Sequence, residues 1–309
     1  MPSIPLPSPS TDELLLADWL ELLALTSPDE NASYVDLERV LHREGVFFSG
    51  DESSIDEGDA SILEDEAIER KIQQVSHEIE SRAIAAGNAY PFMLEPRSIA
   101  LRSSRQDFVP YIFCLCLSVF GAQRATNAIR KMFEYLSCEA AKHFLNGEVI
   151  RFGSPRNTSE IPSRFDEAVS EICARLGEGQ GYSLTSPLHR KDDGLDVVAW
   201  RDFPDRVAGK LILLGNCASG NDWNEKLGEL NPLAFCSQWF AQAPASNAVM
   251  IKSFFVPRRI PAEEWRGVTL RAGIIFDRCR LAYCASMTPD FRDKQRLFEW
   301  TNEILNEFV

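Results

Sequence analysis

Apolar residues over the first 120 positions recur with helical spacing. Behind a Thr11–Asp12 start, Leu14, Leu15, Trp19, Leu22 and Leu23 fall at the spacing of an amphipathic helix. Residues 34–45, YVDLERVLHREG, form a second, shorter helical pattern that stops at Gly45. Residues 62–87 carry a long one, with Ile68, Ile72, Val75 and Ile79 on one stripe and a glycine stop. The run VPYIFCLCLSVFGA (109–122) is too short to cross a bilayer and predicts a buried helix. Between the second and third helices, FSGDESSIDEGDAS (48–61) is acidic, rich in Gly and Ser and aperiodic, which marks a loop or linker. After a Pro/Ser leader at 1–10, residues 1–120 are therefore expected to form an all-helical module.

From Arg124 the pattern changes. An amphipathic helix over ATNAIRKMFEYLSCEAAKHFLNG leads into the strand GEVIRFGSPR and its Gly/Pro turn. A helix follows over PSRFDEAVSEICARLGEG, opened by Pro162 and Ser163 and closed by glycines. The β-branched run LDVVAW and the apolar run KLILLG predict strands at 195–200 and 210–215. Then come a helix from Pro232, strands over AVMIKSFFV and AGIIFD, and a closing helix from Pro289. Such an order predicts an α/β (α+β) fold, a mixed sheet flanked by helices over 121–309, behind the helical module.

Composition is that of an ordinary globular chain: 45% hydrophobic and 25% charged in 309 residues. The N-terminus lacks a basic stretch followed by an apolar one, so a cytoplasmic protein without a membrane segment is expected. None of the eight cysteines forms a CxxC pair, and the four histidines do not stand at zinc-ligand spacing from them. Free, reduced thiols are expected. The net charge of −14 is unevenly placed: residues 1–90 carry −15 and residues 91–309 carry +1. The acidic third repels phosphate and suits docking to a protein partner, whereas the neutral remainder has room for a basic face toward DNA.

Candidate chemistry concentrates in residues 191–220. Asp196 opens one predicted strand, and the adjacent one ends at Asn216, so both polar groups are expected at one end of the sheet. With Glu134 on the helix before, this order resembles the PD-(D/E)xK, or restriction-endonuclease-like, superfamily over about residues 123–280. The resemblance implies a helix glutamate supporting the site (Glu134) and a metal-binding aspartate (Asp196). It also implies a third strand ending in (D/E)-x-K, where this chain has Asn216, Cys217 and Ala218. Mg²⁺ is the implied cofactor, held weakly by Asp196 and Asn216, because an amide replaces one carboxylate charge. A lysine that stabilises the attacking hydroxide would have to come from Lys226 or Lys252. Arg151, Arg156, Arg258 and Arg259 are the candidate DNA contacts.

Each residue also has a plainer role open to it. Glu134 fits a solvated helix face, Asp196 a turn after Gly194, Lys226 an exposed loop, and the arginines surface salt bridges, with Glu160 a ready partner for Arg151 or Arg156. Trp200, Trp223, Trp239 and Trp265 suit packing better than base stacking. Neither a GxSxG elbow nor a GxxxxGK[ST] phosphate loop is present, and pairing Cys217 with His189 as a thiol nucleophile has no third partner. Three functions follow from the resemblance and the charge pattern. One is a nuclease-fold subunit of a bacterial DNA-processing or anti-phage defence complex, weakly active or inactive alone. The second is an active Mg²⁺-dependent endonuclease with a migrated lysine, and the third a helical scaffold.

Overall fold

The computed structural model describes residue 4 and residues 12–44, 57–183, 191–244 and 250–308. The rest of the Pro/Ser leader, most of the acidic segment 48–61 and His189 lie outside the described residues. The chain divides into two compact units. Unit 1 comprises Met1–Cys116 with Phe298–Val309, and unit 2 is Leu117–Leu297. The division thus falls a few residues before position 120, and the final helical stretch belongs to the N-terminal unit rather than to the sheet region.

Unit 1 contains α1 (Glu13–Thr26), β1 (Asn31–Ser33), α2 (Tyr34–Glu44), α3 (Glu57–Ala86), β2 (Phe92–Glu95), β3 (Ser98–Leu101) and the first half of α4 (Val109–Arg124). Asp12 caps α1 by accepting a hydrogen bond from the Leu15 N–H at 2.9 Å. In α3, Ile68, Val75 and Ile79 are buried as their spacing predicts, whereas in α1 the buried face includes Leu16 and Leu20 with Trp19 and Leu22, and the expected Leu15 is 50% exposed. The expected helical module also holds a small antiparallel sheet of order β1-β3-β2, pairing Asn31 with Ala100 and Phe92 with Leu101. At the centre of the unit, the fully buried Arg82 bridges Asp18 and Glu21 of α1 and Glu78 of α3.

Unit 2 is built from α5 (Asn127–Leu145), β4 (Glu148–Arg151), α6 (Phe165–Leu176), β5 (Val197–Arg201), β6 (Leu211–Cys217), α7 (Pro232–Trp239), β7 (Met250–Phe255), α8 (Trp265–Ala272), β8 (Ile274–Phe276) and α9 (Arg278–Ala285). The helix α10 (Lys294–Leu305) follows and passes into unit 1. The five strands form one sheet of order β4-β5-β6-β7-β8. β4, β5 and β6 run as an antiparallel meander, and β7 and β8 then lie parallel to β6. Parallel neighbours need a crossover, which α7 supplies between β6 and β7 and α8 between β7 and β8.

Helices cover both faces of this sheet. Val198, Trp200, Ile212 and Leu214 point into a cluster with Phe165, Val169 and Ile172 of α6 and Phe235 and Trp239 of α7. On the opposite face α5 packs along β4, β5, β6 and α9, and Phe144 of α5 meets Phe276 edge-on at 5.2 Å. Trp200, Trp223 and Trp239 are buried and the partly buried Trp265 packs against the cluster that holds Trp223, as packing residues should. Among the described residues no helix is long and apolar enough to cross a membrane.

Candidate functional site

The site forms where β4 ends, β5 begins and α5 passes over both. The Asp196 carbonyl accepts hydrogen bonds from the N–H groups of Phe152 (2.7 Å) and Gly153 (3.2 Å), and the Asp196 N–H donates to the Gly215 carbonyl at 2.9 Å. Leu195 and Val198 both lie in the cluster under α6 and α7, although they are three residues apart. Strict alternation therefore breaks between them, and Asp196 turns its carboxylate to the α5 side.

There it meets Glu134. A Cβ added at Gly153 would lie 2.5 Å from Glu134 Oε2 and 2.7 Å from Asp196 Oδ1. The two carboxylates thus converge over a position that only glycine leaves open. Asp196 Oδ2 accepts the Cys217 N–H at 2.7 Å. Arg151, buried on β4, places Nη2 at 2.6 Å from Glu134 Oε2 and donates Nη1 to the Pro155 carbonyl at 3.1 Å. Glu134 Oε2 sits off the N–H direction, so the contact is an ion pair rather than an aligned hydrogen bond.

Burial sets the protonation of this pair. It raises the Glu134 carboxyl from 4.5 to about 7, against the opposing pull of Arg151. Asp196 lies well above the ordinary carboxylate range, first through burial and then through the nearby Glu134 charge, which outweigh the Cys217 N–H. Asp192 adds to both effects and is fixed by accepting the Ser154 N–H at 3.2 Å. The Cys217 thiol is pushed well up by burial and by the two acids, so it stands as a neutral thiol.

The remaining expected residues are elsewhere. Asn216 shares the face of Ile212 and Leu214, opposite to that of Glu134. Its amide donates to the Gly194 carbonyl at 2.8 Å and toward Glu229 Oε2 at 3.4 Å. On the α5 face β6 presents Leu211, Leu213, Gly215 and Cys217, none of them an acid or a lysine. Lys252 pairs with Leu214 across the sheet, which puts it on the far face, and donates to the carbonyls of Leu227 (2.9 Å) and Arg271 (2.7 Å). Lys226 stands 3.4 Å from Asp222 in a short 3₁₀ turn.

The arginines are largely engaged within the unit. Arg156 lies over the Phe152 ring at 4.3 Å and donates to the carbonyls of Ser163 and Lys191. Arg259 is paired with the fully buried Asp277 at 2.5 Å, and Arg258 donates to Asn221 at 2.9 Å. Glu160 pairs with Arg292, and not with Arg151 or Arg156 as the sequence suggested. Two residues with no assigned role in the sequence join the site. Gly153 is the open floor, and Lys131, one turn before Glu134 on α5, helps to hold the Glu134 charge. The i, i+3 spacing of Lys131 and Glu134 was the available signal.

Gly153→Ala is expected to force both carboxylates aside at a cost of about 1–3 kcal/mol, read by urea unfolding. Unchanged stability would mean that the acids do not converge there.

As a donor set, Glu134 and Asp196 offer two hard carboxylates, and Mg²⁺ needs only one or two with its waters and a phosphate. However, the Arg151 guanidinium already supplies positive charge at 2.6 Å, and Cys217 supplies no hard donor. Among the described residues no group of three or more His, Cys, Asp or Glu is placed to hold a metal ion. The residues present thus fit a catalytic Mg²⁺ poorly. No family model, curated protein or solved structure matches this chain.

Proposed function

We propose that unit 2 is a restriction-endonuclease-like core that does not hydrolyse DNA. In this reading the chain is a binding subunit of a bacterial DNA-processing or anti-phage defence complex. Support for the fold assignment comes from the α5–β4–α6–β5–β6–α7–β7 order, with an antiparallel meander followed by a parallel strand. The acidic residues 1–90 suit a protein partner better than phosphate.

The Glu134–Arg151 pair is the observation that carries the loss of cleavage. A hydrolytic metal centre needs uncompensated carboxylate charge to hold the ion, and a cation beside the nucleophile. Here an arginine balances one acid, the second acid is protonated well above the ordinary range, and β6 brings neither carboxylate nor lysine to this face. The full chain with Mg²⁺ or Mn²⁺ is expected to leave supercoiled plasmid intact, with Asp196→Ala indistinguishable from it. Metal-dependent nicking that disappears in Asp196→Ala would overturn the reading.

One observation favours a second reading. Lys131 is close enough to Glu134 to stabilise its charge, and it would then replace the lysine expected on the third strand. Nicking lost in Lys131→Met would select this active form.

A further inference from the structure

On the side of α5 away from β6, helix and sheet edge enclose a cavity of about 270 Å³. Its walls are Tyr135 and Lys142, spaced at two helical turns on α5, Arg151 of the edge strand β4, and Arg175, Glu160 and Arg292. With Glu139, the wall holds four basic groups and two acids. The volume is below the range of roughly 300–1,000 Å³ in which drug-sized molecules bind, so the space suits a small ion or a single group.

Arg151 forms the buried back of this wall. The residue is only 3% exposed, and its Nε finds no hydrogen-bond acceptor. That N–H is closed off from water, so Arg151 contributes charge from behind the wall while the rim groups face the space. The neighbours are arranged for the same purpose. Arg151 and Arg292 both lie over the Tyr135 ring, at 5.3 and 4.0 Å from its centroid. Lys142 is exposed and forms no ion pair among the described residues.

A carboxylate already shows what the wall accepts. Glu160 receives hydrogen bonds from Asn157 Nδ2 (2.8 Å) and from the Tyr135 hydroxyl (3.3 Å), and it pairs with Arg292. Arg175 holds the same segment by donating to the Glu160 carbonyl at 2.6 Å. Glu160 thus competes internally for Arg292 together with Asp293, 3.6 Å from Arg292 Nε, and Glu171 holds Arg175 Nε at 2.7 Å.

We propose that this cavity binds a phosphate-class oxyanion, held by Lys142, Arg175 and Arg292 at its rim with the buried Arg151 charge behind them. Planar guanidinium forks match the oxygen pairs of phosphate, whether on a free ion or in a nucleic-acid backbone. The site does not depend on whether the fold cleaves DNA, so the plasmid assay and the binding test below fail separately.

Calorimetric titration of the full chain with inorganic phosphate tests it. Saturable binding is expected, weakened about tenfold in Arg292→Ala and less in Lys142→Ala. Glu160→Gln should bind phosphate more tightly than the parent, because the nearer of the two charges that compete for Arg292 is gone while the hydrogen-bonding shape remains. Lys142→Ala, at an exposed position, keeps the comparison open if the other variants unfold. Competition by a short duplex would assign the phosphate to a nucleic-acid backbone, and its failure to compete would assign it to a free ion. Absence of saturable phosphate binding, or equal affinity in the parent and every folded variant, would overturn the proposal.

Discussion

Arg82→Ala is expected to destabilise unit 1 by about 3–5 kcal/mol, a large part of the stability of an ordinary domain. Arg82 is fully buried and stands 2.7 Å from Asp18 Oδ1, 3.0 Å from Glu21 Oε2 and 2.8 Å from Glu78 Oε1. Its Nη2 also donates to the Leu14 carbonyl at 2.8 Å, at the start of α1. The other oxygen of Glu21 accepts the hydroxyls of Tyr90 (2.9 Å) and Tyr111 (2.8 Å). Truncating the arginine leaves Glu21, itself 0% exposed, charged and without its cation. The cost arises from that stranded charge more than from the lost contact, so adding Glu21→Gln should recover a good part of it. Urea unfolding of the single and double variants measures both effects. A loss below about 1 kcal/mol would place the network at a hydrated surface instead.

The second large effect concerns pH. Glu134 ionises near 4.5 when exposed and only at about 7 in the fold. Between those values the folded chain holds a proton that the unfolded chain has released, so raising the pH favours unfolding. The stabilisation is fully present below pH 4.5 and is lost as pH rises through about 7. The difference corresponds to about 3 kcal/mol, and the raised Asp196 carboxyl acts in the same direction. Glu134→Gln should therefore be the more stable protein at pH 8, and the advantage should vanish at pH 4. Parallel stability curves for the two proteins would remove the buried pair from the account. Mg²⁺ bears on this directly, because an ion held by the acids would flatten the parent's slope. A slope indifferent to Mg²⁺ is expected if Arg151 already fills that place.

Much of the scaffold could be read locally, and the errors have physical causes. Glu134 lies on a strongly amphipathic helix and Asp196 opens a β-branched run, so both were visible as candidates. The face of Asn216 was not. LILLG is apolar on both sides because helices cover both faces of the sheet, and without alternation nothing local tells one face from the other. Only the pairing of Gly215 with Ser253 and of Cys217 with Phe255 settles the register. The strands of unit 1 are three or four residues long, and β1 finds β3 across two intervening helices, which no local pattern reveals. Nor does α9 announce itself, since RCRLAYCA has little amphipathic character and starts directly after β8 on its Asp277 cap. Arg151 looked like a phosphate ligand beside a turn, and its burial against Glu134 depends on tertiary packing alone.

The membership of Phe298–Val309 in unit 1 governs the order in which the molecule can be completed during synthesis. Trp300 meets Phe113 edge-on at 5.4 Å, and Thr301, Ile304 and Leu305 are buried. The unit made first on the ribosome therefore lacks part of its core until all of unit 2 has been translated. Unit 2, by contrast, is contiguous in sequence. The last pieces of the N-terminal core, Trp300, Ile304 and Leu305, are thus supplied only at the end of synthesis.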